Sequence, residues 1–178
     1  MLDLPPFAYD SREVRSKVPD NIRAYFPEAI ERDFGAGLNL GVAVSSVKMP
    51  WGDYLWMDRL GRVIAFERKT YSDLLSSMSE TKQAVFDDKT LHKLTRQLWL
   101  CTQHAQRTYL VLEGTPWVDL EGKLLGRRHV RSVEQMLRRY ELEGRVIIWM
   151  TRDPMDTAKQ IVDLYCLSQR ESGVWPRV

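Results

Sequence analysis

Between Thr108 and Glu113 the chain reads Thr-Tyr-Leu-Val-Leu-Glu, with Tyr109 to Leu112 apolar without interruption. A strand of that kind offers an apolar side chain to both faces of its sheet, so layers must cover it on both sides. Val146-Ile147-Ile148-Trp149-Met150 repeats the pattern and reads as a second buried strand. Between and around these runs the apolar spacing changes to steps of three and four. Leu91, Leu94, Leu98, Cys101 and Ala105 form one such stripe, and Val130, Val133, Met136, Leu137 and Tyr140 another. A closing helix is expected from Pro154 to about Arg170, with Pro154 suited to its first turn.

The first half is richer in strands. Phe7-Ala8-Tyr9 predicts a short strand, followed by a loop and a helix over 20–33 that Gly35, Gly37 and Gly41 end. Gly41-Val42-Ala43-Val44 opens another strand. Tyr54-Leu55-Trp56-Met57 and Arg62 to Glu67 predict a hairpin about Asp58-Arg59-Leu60-Gly61. Thr70 or Ser72 can cap a helix beginning near Asp73, and the polar stretch 79–89 reads as a mobile loop. The expected fold class is therefore α/β, a mixed central β-sheet flanked by α-helices.

Length and composition limit the function classes. A chain of 178 residues fits one domain, and 44% hydrophobic with 28% charged residues excludes wholesale disorder. No run approaches the length of a membrane span, and the N-terminus lacks the layout of a signal peptide. A soluble, intracellular protein of cytoplasm, nucleoid or nucleus is the expectation, with no membrane partner. Cys101 and Cys166 lack metal-ligand spacing and are expected to pack as small hydrophobes.

The net charge of +2 conceals an uneven distribution: residues 89–139 carry +6 while 1–58 carry −3. The basic section includes Lys93, Arg96, Arg127, Arg128 and Arg131, which are candidate contacts to a polyanion; a solvated helix face explains the same charges.

Chemistry concentrates in Gly52-Asp53, Glu67-Arg68-Lys69 and Asp73. Alternation along a strand sends Glu67 and Lys69 to one face and Arg68 to the other. Asp53 begins the partner strand of the hairpin, which can bring a second carboxylate to Glu67. Two carboxylates make a hard oxygen site suited to Mg²⁺, with Mn²⁺ as a substitute. Lys69 can then orient or activate a water for attack on a phosphodiester, and Arg68 can meet a phosphate or developing charge. Taken alone, Glu67 and Lys69 read equally well as an edge-strand ion pair, and Asp73 as a first-turn carboxylate favoured by the helix dipole.

The complete series, G-D and then E-R-K-x-x-x-D, resembles the nuclease signature of the XPF family of structure-specific endonucleases. Asp10-Ser11-Arg12-Glu13, Gly52-Asp53-Tyr54-Leu55-Trp56, Asp73-Leu74-Leu75-Ser76-Ser77, Leu110 to Gly114 and Asp156-Thr157-Ala158 resemble further segments of it, so the likeness covers about residues 7–168. The resemblance implies a restriction-endonuclease-like PD-(D/E)XK core and metal-dependent cleavage of branched DNA, a four-way Holliday junction, flap or fork. It implies Asp53 and Glu67 as metal ligands, Lys69 as the water-positioning residue, and Arg68 and Asp73 as further catalytic members. Asp10 and Glu13 are supporting carboxylates, which a strand-end turn and a surface salt bridge explain equally. Gln97 stands either at the site or on the plain surface of its helix.

Cellular members of that family usually continue into a tandem helix-hairpin-helix module, which the sequence lacks. Affinity for DNA is then expected from the basic section, a partner or a homodimer. Trp117 and Trp175 are candidates for a dimer contact or base stacking, and Trp149 for the core. The competing function is a non-catalytic DNA-binding or dimerisation subunit of a nuclease complex, against which the retention of Asp53, Glu67, Arg68, Lys69 and Asp73 argues.

Overall fold

The computed structural model describes residues 6–35, 42–79, 81–83 and 90–170. Strand β1 (Phe7–Asp10) leads through a 3₁₀ turn (Ser11–Ser16) into α1 (Val18–Phe34). Next come β2 (Val44–Val47), β3 (Tyr54–Met57), β4 (Val63–Thr70), α2 (Tyr71–Ser79), β5 (Thr81–Gln83), β6 (Thr90–His92) and α3 (Lys93–His104). The second half holds β7 (Arg107–Glu113), β8 (Lys123–Leu124), β9 (Arg128–His129), α4 (Val130–Gly144), β10 (Val146–Thr151) and α5 (Pro154–Gln169).

Six strands form one mixed sheet in the order β10-β7-β4-β3-β1-β2. β4, β7 and β10 run parallel, each joined to the next by helices, while β3 pairs antiparallel with both β4 and β1. The mixed α/β class expected from the run patterns is the one that forms. β7 lies inside the sheet because Tyr109 and Val111 serve one apolar layer and Leu110 and Leu112 the other. The first layer packs Phe7, Trp56, Phe66 and Tyr109 under α1 and α5, with Phe66 and Tyr109 stacked at 4.6 Å. The second packs Leu110, Leu112 and Val146 under α2, α3 and α4.

Several details depart from the sequence expectations. β10 is an edge strand, with Ile147 and Met150 exposed, since an apolar run does not itself say whether a neighbour pairs on both sides. Trp149 is partly buried against Phe66 and Tyr109, as its core assignment required. The strand expected from Gly41 forms at Val44 to Val47 instead. Part of the stretch read as a loop is a short hairpin, β5 on β6; residues 84–89 lie outside the described residues, as do Gly37, Gly41 and Trp175. Thr70 is the cap of α2, its hydroxyl accepting from Asp73 N at 3.2 Å. Cys101 and Cys166 are free and buried, and burial pushes the Cys166 thiol up to about 12. Among the described residues no helix is long and apolar enough to cross a membrane.

Replacing the fully buried Leu110 with Ala should cost about 2–5 kcal/mol in denaturant unfolding, while Leu142→Ala on the exposed side of α4 should stay within about 0.5 kcal/mol. Equal costs at the two positions would contradict the doubly covered placement of β7.

Candidate active site

Asp53 reaches the site because Gly52 precedes it. Gly52 adopts φ 70°, and a Cβ there would stand 3.4 Å from Phe66 O and 3.7 Å from the Cys101 sulfur. With the backbone so close, Asp53 N donates to Phe66 O at 2.6 Å and extends the β3–β4 ladder, in which Tyr54 faces Phe66. Asp53 lies just beyond this paired stretch, close enough to Glu67 for their charges to act on each other on the sheet face to which Glu67 projects.

That face is the one covered by α3. Glu67 and Lys69 project onto it beside Leu110 and Leu112, their register partners on β7. Glu67 Oε1 accepts from Gln97 Nε2 at 2.7 Å and from Lys69 Nζ. Asp53 Oδ2 accepts from Arg68 N at 2.7 Å. Burial first, then the charge of Glu67, pushes the Asp53 carboxyl well above the ordinary carboxylate range. Lys69 moves the other way from most buried lysines: desolvation disfavours its charge, but Glu67 and Asp53 outweigh it and the pKa rises. Lys69 is therefore an ammonium, a donor and not a base.

With both carboxyls ionised, Asp53 and Glu67 carry one negative charge more than Lys69 offsets. Among the described residues no group of three His, Cys, Asp or Glu side chains could hold a metal, so a cation would rest on Asp53 and Glu67 and on oxygens from outside the protein. Mg²⁺ binds in that manner, through one or two carboxylates with water and substrate phosphate completing its shell. Gln97 Oε1 is buried without a hydrogen-bond partner among the described residues, a further oxygen with unused acceptor capacity. The residues present fit the ion.

Arg68 projects to the opposite face, as alternation predicted, and is not turned toward a phosphate. Its guanidinium grips Glu113 at both oxygens, through Nε at 2.8 Å and through Nη2, and reaches Glu13 at 3.4 Å. Glu113 also accepts from Thr157 at the start of α5 at 2.7 Å, and Glu13 from Tyr54 OH at 2.9 Å. Arg68 thus ties β4, β7, α5 and the 3₁₀ turn together behind the site, while its own N–H fixes Asp53. Glu113 was not among the sequence candidates; it is 45 residues from Arg68, and spacing carries no sign of the pair.

Asp10 caps the 3₁₀ turn. Its carboxylate accepts from Arg12 N and Nε at 2.8 Å and from Met49 N at 3.1 Å, which is the strand-end turn foreseen as its alternative. Arg12, unassigned from sequence, feels the charges of Asp53 and Glu67 beside that of Asp10. Asp73 is exposed and accepts from Thr70 Oγ1 at 2.7 Å, a first-turn cap of α2. Gln97, half-buried on α3, is turned inward to Glu67 and not onto the plain helix surface.

The basic candidates lie on elements covering the Glu67 face. Lys93 and Arg96 are on α3, half-buried, and Arg127 and Arg131 are exposed around the start of α4. Arg128, half-buried, donates to Met78 O at the end of α2 at 3.5 Å.

A mixed sheet with helices on both faces and a carboxylate pair beside an ammonium at the end of a parallel strand defines a nuclease-type α/β domain. The chain belongs to the ERCC4 domain family, which matches residues 9–164. It is similar to XPF from Aeropyrum pernix at 29% identity and a TM-score of 0.64, over 94% of this chain and 66% of that one. It is also similar to XPF from Aeropyrum pernix in complex with DNA, at 26% identity and a TM-score of 0.62, over 96% of this chain and 68% of that one. The chain thus spans about two thirds of the length of these structures. A comparison with curated proteins finds no match.

Two outcomes are expected. Glu113→Gln should destabilise the protein by about 3–5 kcal/mol, because Arg68 and Glu113 are only 11% and 6% exposed and breaking the pair leaves a buried charge uncompensated. Asp10 is held below its ordinary value by its hydrogen bonds from Arg12, so it contributes stability above that ordinary value and loses it as pH falls through the lower folded value. The stability gap between wild type and Asp10→Asn, measured by urea unfolding from pH 7 to pH 2, should therefore narrow on acidification; a gap that widens would refute the assignment.

Proposed function

We propose that this chain is a divalent-metal-dependent, structure-specific endonuclease that hydrolyses phosphodiester bonds in branched DNA, working as a homodimer. The observation that carries the proposal is the pairing of half-buried Asp53 with buried Glu67, the Lys69 ammonium bound to the latter. Membership of the ERCC4 domain family and likeness to an XPF structure in complex with DNA support it. A four-way junction, a flap and a fork are all within the proposal.

Asp53 and Glu67 would hold Mg²⁺, or Mn²⁺ in its place, and the ion would neutralise phosphate charge and polarise the attacked ester. The residues of the chain supply the rest. Lys69, kept protonated by its two carboxylate neighbours, donates a hydrogen bond to the incoming water or to a non-bridging phosphate oxygen and stabilises charge as it develops. Gln97 fixes the orientation of Glu67, and the Arg68 N–H does the same for Asp53. Arg68 itself acts as a positioning residue through its clamp on Glu113 and Glu13. Lys93, Arg96, Arg127, Arg128 and Arg131 hold the DNA backbone over this face without reading its sequence.

The test is cleavage of end-labelled four-way junction, flap, fork, linear duplex and single-stranded DNA with Mg²⁺. Wild type should cut a branched form selectively, and Glu67→Gln and Lys69→Ala should each lose at least about 100-fold in rate while still binding DNA. Undiminished cutting by either variant would show that the centre is misassigned. Binding of branched DNA without cutting by wild type, in Mg²⁺ or Mn²⁺, would point instead to a non-catalytic subunit.

A further inference from the structure

The segment from Gly114 to Val130 joins β7 to α4, and its tip, 117–125, supplies nothing to the Asp53–Glu67 centre. Its tip is firmly built. Trp117 O accepts from Leu125 N at 2.9 Å, Val118 bridges Leu124, and Asp119 N donates to Lys123 O at 3.0 Å. The Asp119 carboxylate turns back onto this backbone and accepts from Glu121 N at 3.0 Å and Lys123 N at 2.8 Å. Gly122 N donates to Asp119 O, and Gly122 O accepts from Val130 N, both at 3.0 Å, which fastens the tip to the first residue of α4.

This frame displays apolar side chains outward. Trp117 is 60% exposed, Val118 44% and Leu120 fully. Single exposed apolar residues are ordinary, but an indole and two aliphatic side chains exposed within four residues of one hydrogen-bonded turn offer apolar surface for a contact.

Charge and position indicate what covers it. From Trp117 to Arg131 the chain holds Lys123, Arg127, Arg128 and Arg131 against Asp119 and Glu121. Asp119 is spent on its own turn and Glu121 pairs with Lys123, so the outward charge is that of the arginines, of which Arg127 and Arg131 are exposed. An apolar tip set among arginines suits a polyanion that also offers flat apolar faces. A regular duplex keeps its base faces stacked and hidden; a branch exposes them. Trp117 lies five residues beyond Leu112, the register partner of Lys69, and five residues span at most ~18 Å. The tip and the site can therefore meet one stretch of DNA.

We propose that Trp117, Val118 and Leu120 form an apolar wedge that seats on unstacked bases at a DNA branch and gives this domain its preference for branched over linear DNA. The wedge rests on the DNA reading of the preceding section and adds a specificity-determining surface outside the catalytic centre. Wedges of this type separate base steps, and an aromatic ring stacks on any exposed base without regard to sequence.

The test uses a flap carrying 2-aminopurine at the branch point, without divalent metal, and a matched linear duplex. Wild type, Trp117→Ala/Leu120→Ser and the conservative Trp117→Phe/Leu120→Met are compared. Wild type should raise the 2-aminopurine fluorescence and prefer the flap; the first variant should lose the rise and about tenfold of the preference while binding linear duplex within twofold of wild type. The conservative variant should keep both. Unstacking by the first variant at the wild-type level would overturn the wedge, as would absence of unstacking by wild type. A fall in sedimenting mass of the DNA-free variant with branch binding unchanged would overturn it too, since the tip would then be a protein contact. Cleavage of the flap in Mg²⁺, measured in parallel, separates the two proposals: cutting without tip-dependent unstacking sinks the wedge alone, and tip-dependent unstacking without cutting sinks the nuclease reading alone.

Discussion

Everything around the end of β4 follows from bringing two carboxyl groups, Asp53 and Glu67, close together at the covered face of the sheet. Asp53 and Glu67 repel, burial sharpens the repulsion, and the Asp53 carboxyl is driven toward its protonated form. An arrangement of this cost persists only if its surroundings hold it in place. They do so with few groups: the Lys69 ammonium and Gln97 on Glu67, and a backbone N–H from Arg68 on Asp53. What is left over is a carboxyl that only a further cation would keep ionised, at a point where oxygen ligands already converge.

The rest of the fold can be understood as support for that point. β7 separates two apolar layers and places leucines beside Glu67 and Lys69, keeping their dielectric low. On the reverse face Arg68, Glu113, Glu13, Tyr54 and Thr157 form a polar network that spans the strands, the 3₁₀ turn and the last helix. A charge network of this kind is poor insurance for stability when set against an apolar core of the same volume. Its value here is geometric, since the residue at its centre also supplies the N–H that orients Asp53. The two faces of β4 are thereby coupled through one residue, with chemistry in front and the strut behind.

Much of this was legible in the residues alone, for physical reasons that also mark where legibility ends. The uninterrupted run at Tyr109 to Leu112 required cover on both sides, and the alternation in Glu67-Arg68-Lys69 assigned faces before any neighbour was known. Faces, however, are a property of one strand, and partners are a property of the whole sheet. Hence Arg68 reads as able to meet a phosphate or developing charge with no sign that Glu113 holds its guanidinium, and Asp10 reads as a supporting carboxylate with no sign that Arg12 and Met49 bond it. The run at Val146 to Met150 reads the same whether it lies at the centre or at the edge. Asp73 was a matter of two roles for one position, and its bond to Thr70 is the local one. Gln97 lay in a helix whose register against the sheet no periodicity fixes.

The most direct measurement of the central claim is the thermal stability of DNA-free wild type and Asp53→Asn, each with and without Mn²⁺. Removing one of two repelling carboxylates relieves the pair, so the metal-free variant should be at least as stable as wild type, whereas only wild type should gain stability when Mn²⁺ is added. A variant that is less stable without metal and yet gains as much from Mn²⁺ as wild type would contradict the account, because Asp53 would then be an ordinary structural carboxylate and not half of a cation site.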